Sequence, residues 1–236
     1  MQALAPHQAP HAARLRCAAS APRRLSPRCS AVNGGTRSAE AVEVLRLAAT
    51  DKSPLASSVC SAMRALEEAK ALDTLALPEM LAGEGPKSTR WRLVFTSSSA
   101  DLEGLRKGGP SKGGGKYFPI TAVQSWSRGG HISNGVYLGH WAALQFDGPF
   151  RLAGKRLQFD FSSLKLKLLG LNLSFGLKPE GYTLPEQGKA FGALPFFLFA
   201  HADGELVVAR GRSGGLALWA KATPSWALES GALALE

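Results

Sequence analysis

Residues 211–215 read Gly-Arg-Ser-Gly-Gly and fit the pattern G-x-S-x-G, in which hydrolases present a nucleophilic serine. That serine is exposed for attack only where the motif joins a strand to a helix. The residues that follow the motif here alternate as in a strand instead. We therefore interpret residues 211–215 as a hairpin turn, because glycines adopt positive φ there at little steric cost.

Two other groups of residues have types that could bind a metal or a phosphate. The histidines beyond residue 39 are His131, His140 and His201, and they fall on different predicted strands without the spacing that gathers metal ligands. The Gly- and Lys-rich residues 108–116 lack the first glycine and the Ser or Thr of a phosphate-binding loop. The sequence therefore predicts no metal site and no nucleotide site.

Carboxylates are equally sparse at positions suited to acid–base catalysis. Asp160 lies opposite the apolar side of its predicted strand, and Asp203 and Glu205 flank a turn, so we expect all three to be solvated. The sequence therefore predicts no catalytic residue and no cofactor.

The charge of the chain is unevenly distributed. The formal net charge is +10, but residues 1–39 contain six arginines and no Asp or Glu. Without them, 22 basic residues face 18 acidic ones. Such an Ala-, Pro-, Ser- and Arg-rich segment without a secretory apolar run is typical of an organelle transit peptide. The alternative is a basic arm that contacts nucleic acid, and the low charge of the remaining chain argues against a nucleic-acid partner.

Cysteine usage and hydropathy exclude two further classes of protein. Cys17 and Cys29 lie in the predicted leader, so Cys60 alone would remain and no internal disulfide is expected. The apolar stretch at residues 191–200 is too short to span a bilayer as a helix and contains Pro195. We expect no transmembrane segment.

Residues 40–85 are predicted to be helical. Ser38 caps a first helix over residues 39–49. Ser53 followed by Pro54 is typical of a helix start, and opens a second helix. The apolar stripe of this second helix comprises Leu55, Val59, Met63 and Leu66.

From Trp91 onward the hydrophobic period changes to two, and residues 86–224 are predicted to form the barrel domain. The first strand begins near Trp91, and the clearest one covers residues 156–162. Residues 164–168 alternate next, and a bulge or turn at Leu169 and Gly170 is needed to keep the following leucines on the inward face. About eight short strands predict an antiparallel β-barrel with N-terminal helices, followed by a C-terminal tail at residues 225–236.

Four stretches of this predicted barrel resemble the plastid-lipid-associated (fibrillin) family. They are residues 90–97 (RWRLVFTS), 118–137 (FPITAVQSWSRGGHISNGVY), 146–164 (FDGPFRLAGKRLQFDFSSL) and 195–219 (PFFLFAHADGELVVARGRSGGLALW). The resemblance implies a lipocalin-like barrel in the chloroplast, at plastoglobules or thylakoids. It also implies a role in quinone, carotenoid or acyl-lipid storage and in photoprotection.

A lipocalin-like barrel suggests one closing contact and one ligand pocket. We expect the Trp91 indole under the Arg210 guanidinium, with Arg212 as the substitute. The residues expected to line a ligand cavity or a filled core are Leu93, Phe95, Leu157, Phe159, Phe161, Phe197, Phe199 and Leu218.

The leading functional hypothesis is a lipid-associated protein that holds an apolar ligand or coats a lipid surface, without enzymatic activity of its own. Lys155, Arg156, Lys165 and Lys167 are candidates for contact with anionic headgroups. The alternative is a barrel enzyme or enzyme accessory acting on an isoprenoid or fatty-acid derivative.

Overall fold

The computed structural model describes residues 32–83, 88–107, 114–186 and 188–235, and within them the chain is mainly β. The helices are α1 (Val32–Thr50), α2 (Ala56–Ala69), α3 (Leu77–Ala82), α4 (Ser99–Arg106), α5 (Gly188–Ala193) and α6 (Pro224–Glu229). The strands are β1 (Arg90–Thr96), β2 (Lys116–Tyr117), β3 (Thr121–Trp126), β4 (His131–Leu138), β5 (Ala142–Ala153), β6 (Arg156–Phe159), β7 (Ser163–Leu168), β8 (Leu171–Gly176), β9 (Phe196–Ala202), β10 (Leu206–Gly211) and β11 (Leu216–Lys221).

Eight of these strands close into an antiparallel barrel. The ring runs β1, β3, β4, β5, β6, β9, β10 and β11, and it closes where β11 pairs with β1. At that closure Leu93 lies opposite Trp219 and Trp91 opposite Lys221. The predicted antiparallel barrel with N-terminal helices is therefore confirmed. The hairpin predicted at residues 211–215 is also confirmed, since β10 pairs with β11 and Gly211 N donates to Gly215 O at 2.9 Å.

Two helix boundaries differ from the prediction. α1 begins at Val32, inside the predicted leader, so the helical part starts earlier; residues 1–31 of that leader lie outside the described residues. α2 begins after Leu55 rather than at Ser53, because the Asp51 carboxylate accepts the Ser53 N–H and holds that residue in a turn. Leu55, predicted on the apolar stripe, is consequently exposed.

The C-terminal residues are not a tail as predicted. α6 is capped by the Thr223 hydroxyl, which accepts the Trp226 N–H. Ala227 and Ala232 are then buried against the outer side of β3 and β4. The C-terminal residues therefore belong to the folded body.

β10 and β11 lie between two hydrophobic cores because their residues alternate between the two faces of the sheet. Val207 and Ala209 belong to the cluster inside the barrel, called here the interior cluster. Leu206 and Val208 point the other way and pack under α1 and α2, in the helix-side cluster. The N-terminal helices therefore cover the outside of this part of the barrel wall.

β5 is the longest of the described strands, and it continues through Gly148 and Pro149. One edge of β5 pairs with β4, while the other pairs first with β7 and then with β6. Between β6 and β7 the chain has one extra residue, because Phe159 lies opposite Phe150 but Ser163 lies opposite Asp147. This bulge separates a strand that stays in the barrel from a hairpin, β7–β8, that leaves it.

Gly148 faces this bulge at close range. A Cβ atom on Gly148 would overlap the Asp160 carbonyl oxygen and lie 2.9 Å from Phe161 Cα. We expect Gly148→Ala to lower the free energy of unfolding by about 2 kcal/mol or more, because the backbone of residues 160–162 must move to make room for the added methyl group. Urea unfolding monitored by circular dichroism measures this.

Gly192→Ala is the matched control. Gly192 lies in α5, and an added Cβ would meet nothing within 4 Å. Its stability should be unchanged or raised by about 0.5–1 kcal/mol, since alanine is the better helix former. Equal stability of the two variants would contradict the close approach at Gly148.

Candidate functional site

Most residues predicted to face inward do so. The interior cluster contains the following predicted residues: Leu93, Leu157, Phe159, Phe161, Phe197 and Phe199. They come from β1, β6, β9 and the segment after β6, which the barrel brings together from distant parts of the sequence.

Phe95 and Leu218 were predicted inward and lie in the helix-side cluster instead. The register of β1 against β11 shifts between Leu93 and Phe95, and this bulge reverses the side that Phe95 faces. In β11 the inward position belongs to Trp219, so Leu218 next to it faces the helices.

Aromatic rings fill the middle of the barrel. The Trp126 ring lies 5.7 Å from that of Phe199 and 6.0 Å from that of Trp219, both edge to face. Phe159 and Phe197 stack at 5.2 Å. Such offset and edge-on contacts are the favoured geometries of buried rings. The central interior is therefore a packed aromatic core.

The predicted contact between Trp91 and an arginine is wrong. The Trp91 side chain is fully buried and its Nε1 donates to the Leu81 carbonyl of α3 at 2.8 Å. Arg210 lies on the opposite face of the sheet and binds Glu67 of α2 through two bonds of 2.6 and 2.5 Å. Arg212 donates to the carbonyls of Ala193 and Leu194. Trp91 therefore fastens α3 across one end of the barrel without a guanidinium.

A cavity of 320 Å³ remains at that end, and we call it the mouth cavity. It lies between α3, the β3–β4 turn and the β5–β6 turn. Its apolar lining includes Leu81, Trp126, Phe150 and Leu152, and Arg128 is at its rim. The Trp126 side chain is fully buried, and its Nε1 has no hydrogen-bond partner among the residues that the structure describes.

The β7–β8 hairpin presents an apolar face to solvent, and we call it the hairpin face. Register places its side chains in rows, each continuing a residue of β5: Phe146–Leu164–Phe175, Leu144–Leu166–Leu173 and Ala142–Leu168–Leu171. The turn predicted at Leu169 and Gly170 is confirmed, with positive φ at both. The sheet face was predicted correctly, but burial was not: β8 is exposed along its whole length.

The exposed apolar surface extends to the tip of the hairpin. Leu169 is 77% exposed, and its N–H donates to the carbonyl of Trp141, whose side chain is 68% exposed. Leu171 and Phe175 are 60% and 47% exposed. A contiguous apolar patch of this kind is unusual on a folded surface, and it makes the hairpin face the candidate interaction site.

The lysines predicted to meet anionic headgroups are mostly engaged within the protein. Lys165 Nζ lies 3.1 Å from Asp147 Oδ2, and Lys167 Nζ donates to the Ala234 carbonyl at 2.9 Å. Both side chains project from the side of β7 opposite the hairpin face. The Arg156 guanidinium lies 4.2 Å from the centre of the Phe196 ring. Lys155, the fourth predicted residue, is exposed to solvent.

Two carboxylates predicted to be solvated are held by specific partners. Asp160 accepts the Tyr182 hydroxyl at 2.7 Å, and this bond raises the pKa of Tyr182 to about 12. Asp203 Oδ2 lies 3.2 Å from His201 Nε2, while its other oxygen accepts the backbone N–H of Glu205 and of Leu206. Burial opposes ionisation of Asp203, but these hydrogen bonds outweigh it and lower its pKa to about 2.

Within the described residues, no group of three or more His, Cys, Asp or Glu side chains is placed to hold a metal ion. None of the described helices has the length and apolar character needed to cross a membrane. Comparison with protein-family models and with curated proteins finds no match to this chain. The resemblance to the fibrillin family therefore stays a prediction.

The inward position of Trp126 and the exposure of β8 were not predicted from the sequence. Trp126 ends a strand whose inward side it shares with buried Gln124 and Ala122, so alternation alone gave no apolar signal there. In β8 the leucines alternate with Asn172 and Ser174 as in any half-buried strand. Only the strand order shows that β8 is an edge with no layer packed on it.

The ion pair of Arg210 with Glu67 should be a measurable source of stability. Both side chains are about two-thirds buried, at 28% and 31% exposure, and the pair is bidentate. We expect Glu67→Gln to lower the free energy of unfolding by about 1–2 kcal/mol, because Arg210 keeps its charge without the partner carboxylate. Chemical denaturation measures the loss.

Glu68→Gln provides the comparison on the same helix. Glu68 pairs with Arg64 at 2.9 Å, but its side chain is 56% exposed. Such an i,i+4 surface pair is worth about 0.3–0.5 kcal/mol. A loss in Glu67→Gln no larger than that in Glu68→Gln would show that α2 is not held to β10 through Arg210.

The lowered pKa of Asp203 predicts a pH-dependent contribution to stability. Its ordinary value is 3.8, so the contribution is complete above that pH and disappears as the pH falls toward 2. We expect Asp203→Asn to unfold about 1–2 kcal/mol more easily at neutral pH, with the gap to the parent protein closing in acid. Urea titrations across this pH range measure the gap.

Glu205→Gln serves as the control for Asp203→Asn. The Glu205 carboxylate is 68% exposed and lies 3.7 Å from Lys221. Its removal should change stability by less than about 0.5 kcal/mol at every pH. A constant gap for Asp203→Asn from neutral to acid pH would refute the assigned role of its charge.

Proposed function

We propose that the protein associates peripherally with an apolar lipid surface and that the hairpin face is the part that enters the lipid. The observation that carries the proposal is the exposed row of leucines and Phe175 on β7 and β8. Folding places these side chains on one face but leaves them in water. Contact with lipid removes that exposure.

The chemistry of the hairpin favours lipid over another protein as the occupant. Its outward side chains are large and apolar and offer few polar groups for specific recognition. Trp141 lies beside the tip, and tryptophan is enriched where an apolar phase meets water. Lys165 and Lys167 are held on the opposite side, so insertion of the hairpin face does not bury them.

The driving force of this attachment is apolar rather than electrostatic. Full burial of an exposed large apolar side chain contributes about 1.5–3 kcal/mol, and four side chains of the hairpin face are exposed: Leu168, Leu171, Leu173 and Phe175. Three of the four cationic residues considered for headgroup contact already have partners. Binding should therefore depend weakly on salt, unlike that of a nucleic-acid binder.

The proposed setting is the plastid, at plastoglobules or thylakoids. The support is the acid-free, arginine-rich composition of residues 1–39 and the resemblance of the barrel segments to the fibrillin family. In this proposal the protein coats or sequesters quinone, carotenoid or acyl lipids and performs no catalysis. The aromatic core limits any ligand within the barrel to its end.

Replacing two side chains of the hairpin face tests the proposal. In the double variant Leu171→Asp with Phe175→Asp, we expect binding of the full chain to galactolipid vesicles to fall at least about tenfold. The reason is that two apolar anchors become charges that resist entry into lipid. Vesicle flotation measures the bound fraction, and unchanged thermal unfolding is expected because both positions are exposed.

Leu55→Asp with Leu75→Asp is the matched control, since these leucines are 74% and 91% exposed outside the hairpin. This variant should bind vesicles like the parent protein, and raising salt about fivefold should not release it. Equal binding by the two double variants would refute the proposal. Loss of a dimer in light scattering, with vesicle binding intact, would identify the hairpin face as a self-association surface instead.

A further inference from the structure

The outer edge of β8 is an open edge of the sheet, called here the free edge. β8 stands at the end of the strand order, pairs only with β7 among the described strands, and is exposed along its whole length. The Leu177 N–H donates to Ser162 O at 2.8 Å, directly beyond the last pair of the hairpin. Because hydrogen-bonded and non-bonded pairs alternate between antiparallel strands, the backbone N–H and C=O groups of Asn172, Ser174 and Gly176 point away from β7.

These outward backbone groups can be satisfied by water but not by lipid. Leu171, Leu173 and Phe175 of β8 belong to the hairpin face, so insertion of that face brings the backbone of β8 to the lipid. An unpaired N–H or C=O is costly in an apolar phase, and open sheet edges do not occur in contact with hydrocarbon. The hairpin face of one copy is therefore an incomplete lipid-binding surface, because its free edge needs a partner there.

We propose that β8 pairs along the free edge with β8 of a second copy of this chain when both are at the lipid surface. This pairing rests on the proposed function, because without lipid contact the free edge can stay in water. A two-fold axis at Ser174 places that residue opposite its own counterpart and Asn172 opposite Gly176 of the second copy. This two-fold register pairs all three outward-facing residues of the strand.

The residues of β8 permit this pairing. Edge strands usually have a charge, a proline or a bulge that prevents pairing with another chain. β8 has none of these, since Leu171–Gly176 reads Leu-Asn-Leu-Ser-Phe-Gly and its register against β7 is continuous. Lys165 and Lys167 lie one strand further in, where Asp147 and the Ala234 carbonyl hold them within their own copy.

Pairing also joins two hairpin faces into one. In this register Leu173 lies opposite Phe175 of the second copy, and both side chains face the lipid. A contact of one six-residue strand per copy is small compared with the about 1,200–2,000 Å² that a stable interface in water buries. We therefore expect the two copies to pair on lipid and to separate in solution.

A cysteine at the two-fold axis tests the pairing. In the full chain with Cys17→Ser and Cys29→Ser, the remaining cysteine is Cys60, which is buried. In that chain, Ser174→Cys bound to vesicles of digalactosyldiacylglycerol should form a disulfide with a second copy when a mild oxidant is added. The reason is that the Cα atoms of opposite, hydrogen-bonded residues lie about 5.5 Å apart, within the reach of a disulfide. Without vesicles, cross-linking should fall at least about tenfold.

Asn172→Cys in the same chain is the matched control. Residue 172 is also exposed and faces the same side as Ser174, but the register separates its two copies by about 14 Å, too far for a disulfide. Cross-linking should be at least about tenfold lower at the same amount of bound protein. Equal cross-linking of the two variants would overturn the pairing and leave the lipid-surface function standing. So would equal cross-linking of Ser174→Cys with and without vesicles. Failure of the parent chain to bind the vesicles would overturn both.

Ser174→Pro is a further variant, and it removes a donor from the free edge without changing the hairpin face. The N–H of Ser174 does not bond to β7, so the hairpin should keep its own hydrogen bonds, and thermal unfolding checks this. We expect vesicle binding to weaken at least about fivefold, because an unpaired edge must then enter the lipid. Binding equal to that of the parent chain would overturn the pairing.

Discussion

Backbone hydrogen bonding along β5 is the constraint on which the rest of the structure depends. Each backbone N–H and C=O along this strand needs a hydrogen-bond partner, and β5 is longer than any one of the strands beside it. β4 covers one edge, while β6 and β7 divide the other at the bulge opposite Gly148. β6 then continues the ring by pairing with β9, whereas the second edge of β7 pairs with β8. The division of one edge therefore creates both the closed barrel and the exposed hairpin.

Alternation across the sheet decides which side chains share an environment. Along β10 and β11, successive residues face either the aromatic interior or the helices, so these strands are apolar on both sides. This explains why Trp219 and Leu218, adjacent in sequence, lie in different clusters. It also explains why Arg210 meets Glu67 on α2 rather than Trp91 inside. A single bulge in β1 gives Phe95 the same outward orientation.

The aromatic interior separates two surfaces with different chemistry. Tryptophan and phenylalanine rings occupy the middle of the barrel, and free volume remains where α3 crosses one end. Leu81, Phe150 and Leu152 line that space together with the polar residues Thr74, Ser127 and Arg128. The hairpin face is instead an open, exposed apolar surface, which suits contact with a fluid apolar phase. The mouth cavity and the hairpin face therefore lie in separate parts of the fold.

The sequence by itself determined the elements that depend on local periodicity. Alternation around Trp91 and along residues 156–168 predicted strands, glycines predicted the turn at 211–215, and strand number predicted the barrel. Capping at Ser53 was misjudged because the Asp51 carboxylate accepts the Ser53 N–H and holds that residue in a turn before α2. Most of the inward-facing residues were predicted, because side chains alternate along a strand and one inward residue therefore identifies the others on that strand.

Only the tertiary structure decided which apolar faces are covered. β8 has the alternation of a buried strand, yet it is an edge with nothing packed on it, and strand order is not encoded in its own residues. The partner of Arg210 and the surroundings of the Trp126 indole, which has no hydrogen-bond partner within the described residues, likewise depend on elements far away in the chain. Periodicity specifies the direction of a side chain relative to its own strand. What that side chain meets is set by the long-range packing of other elements.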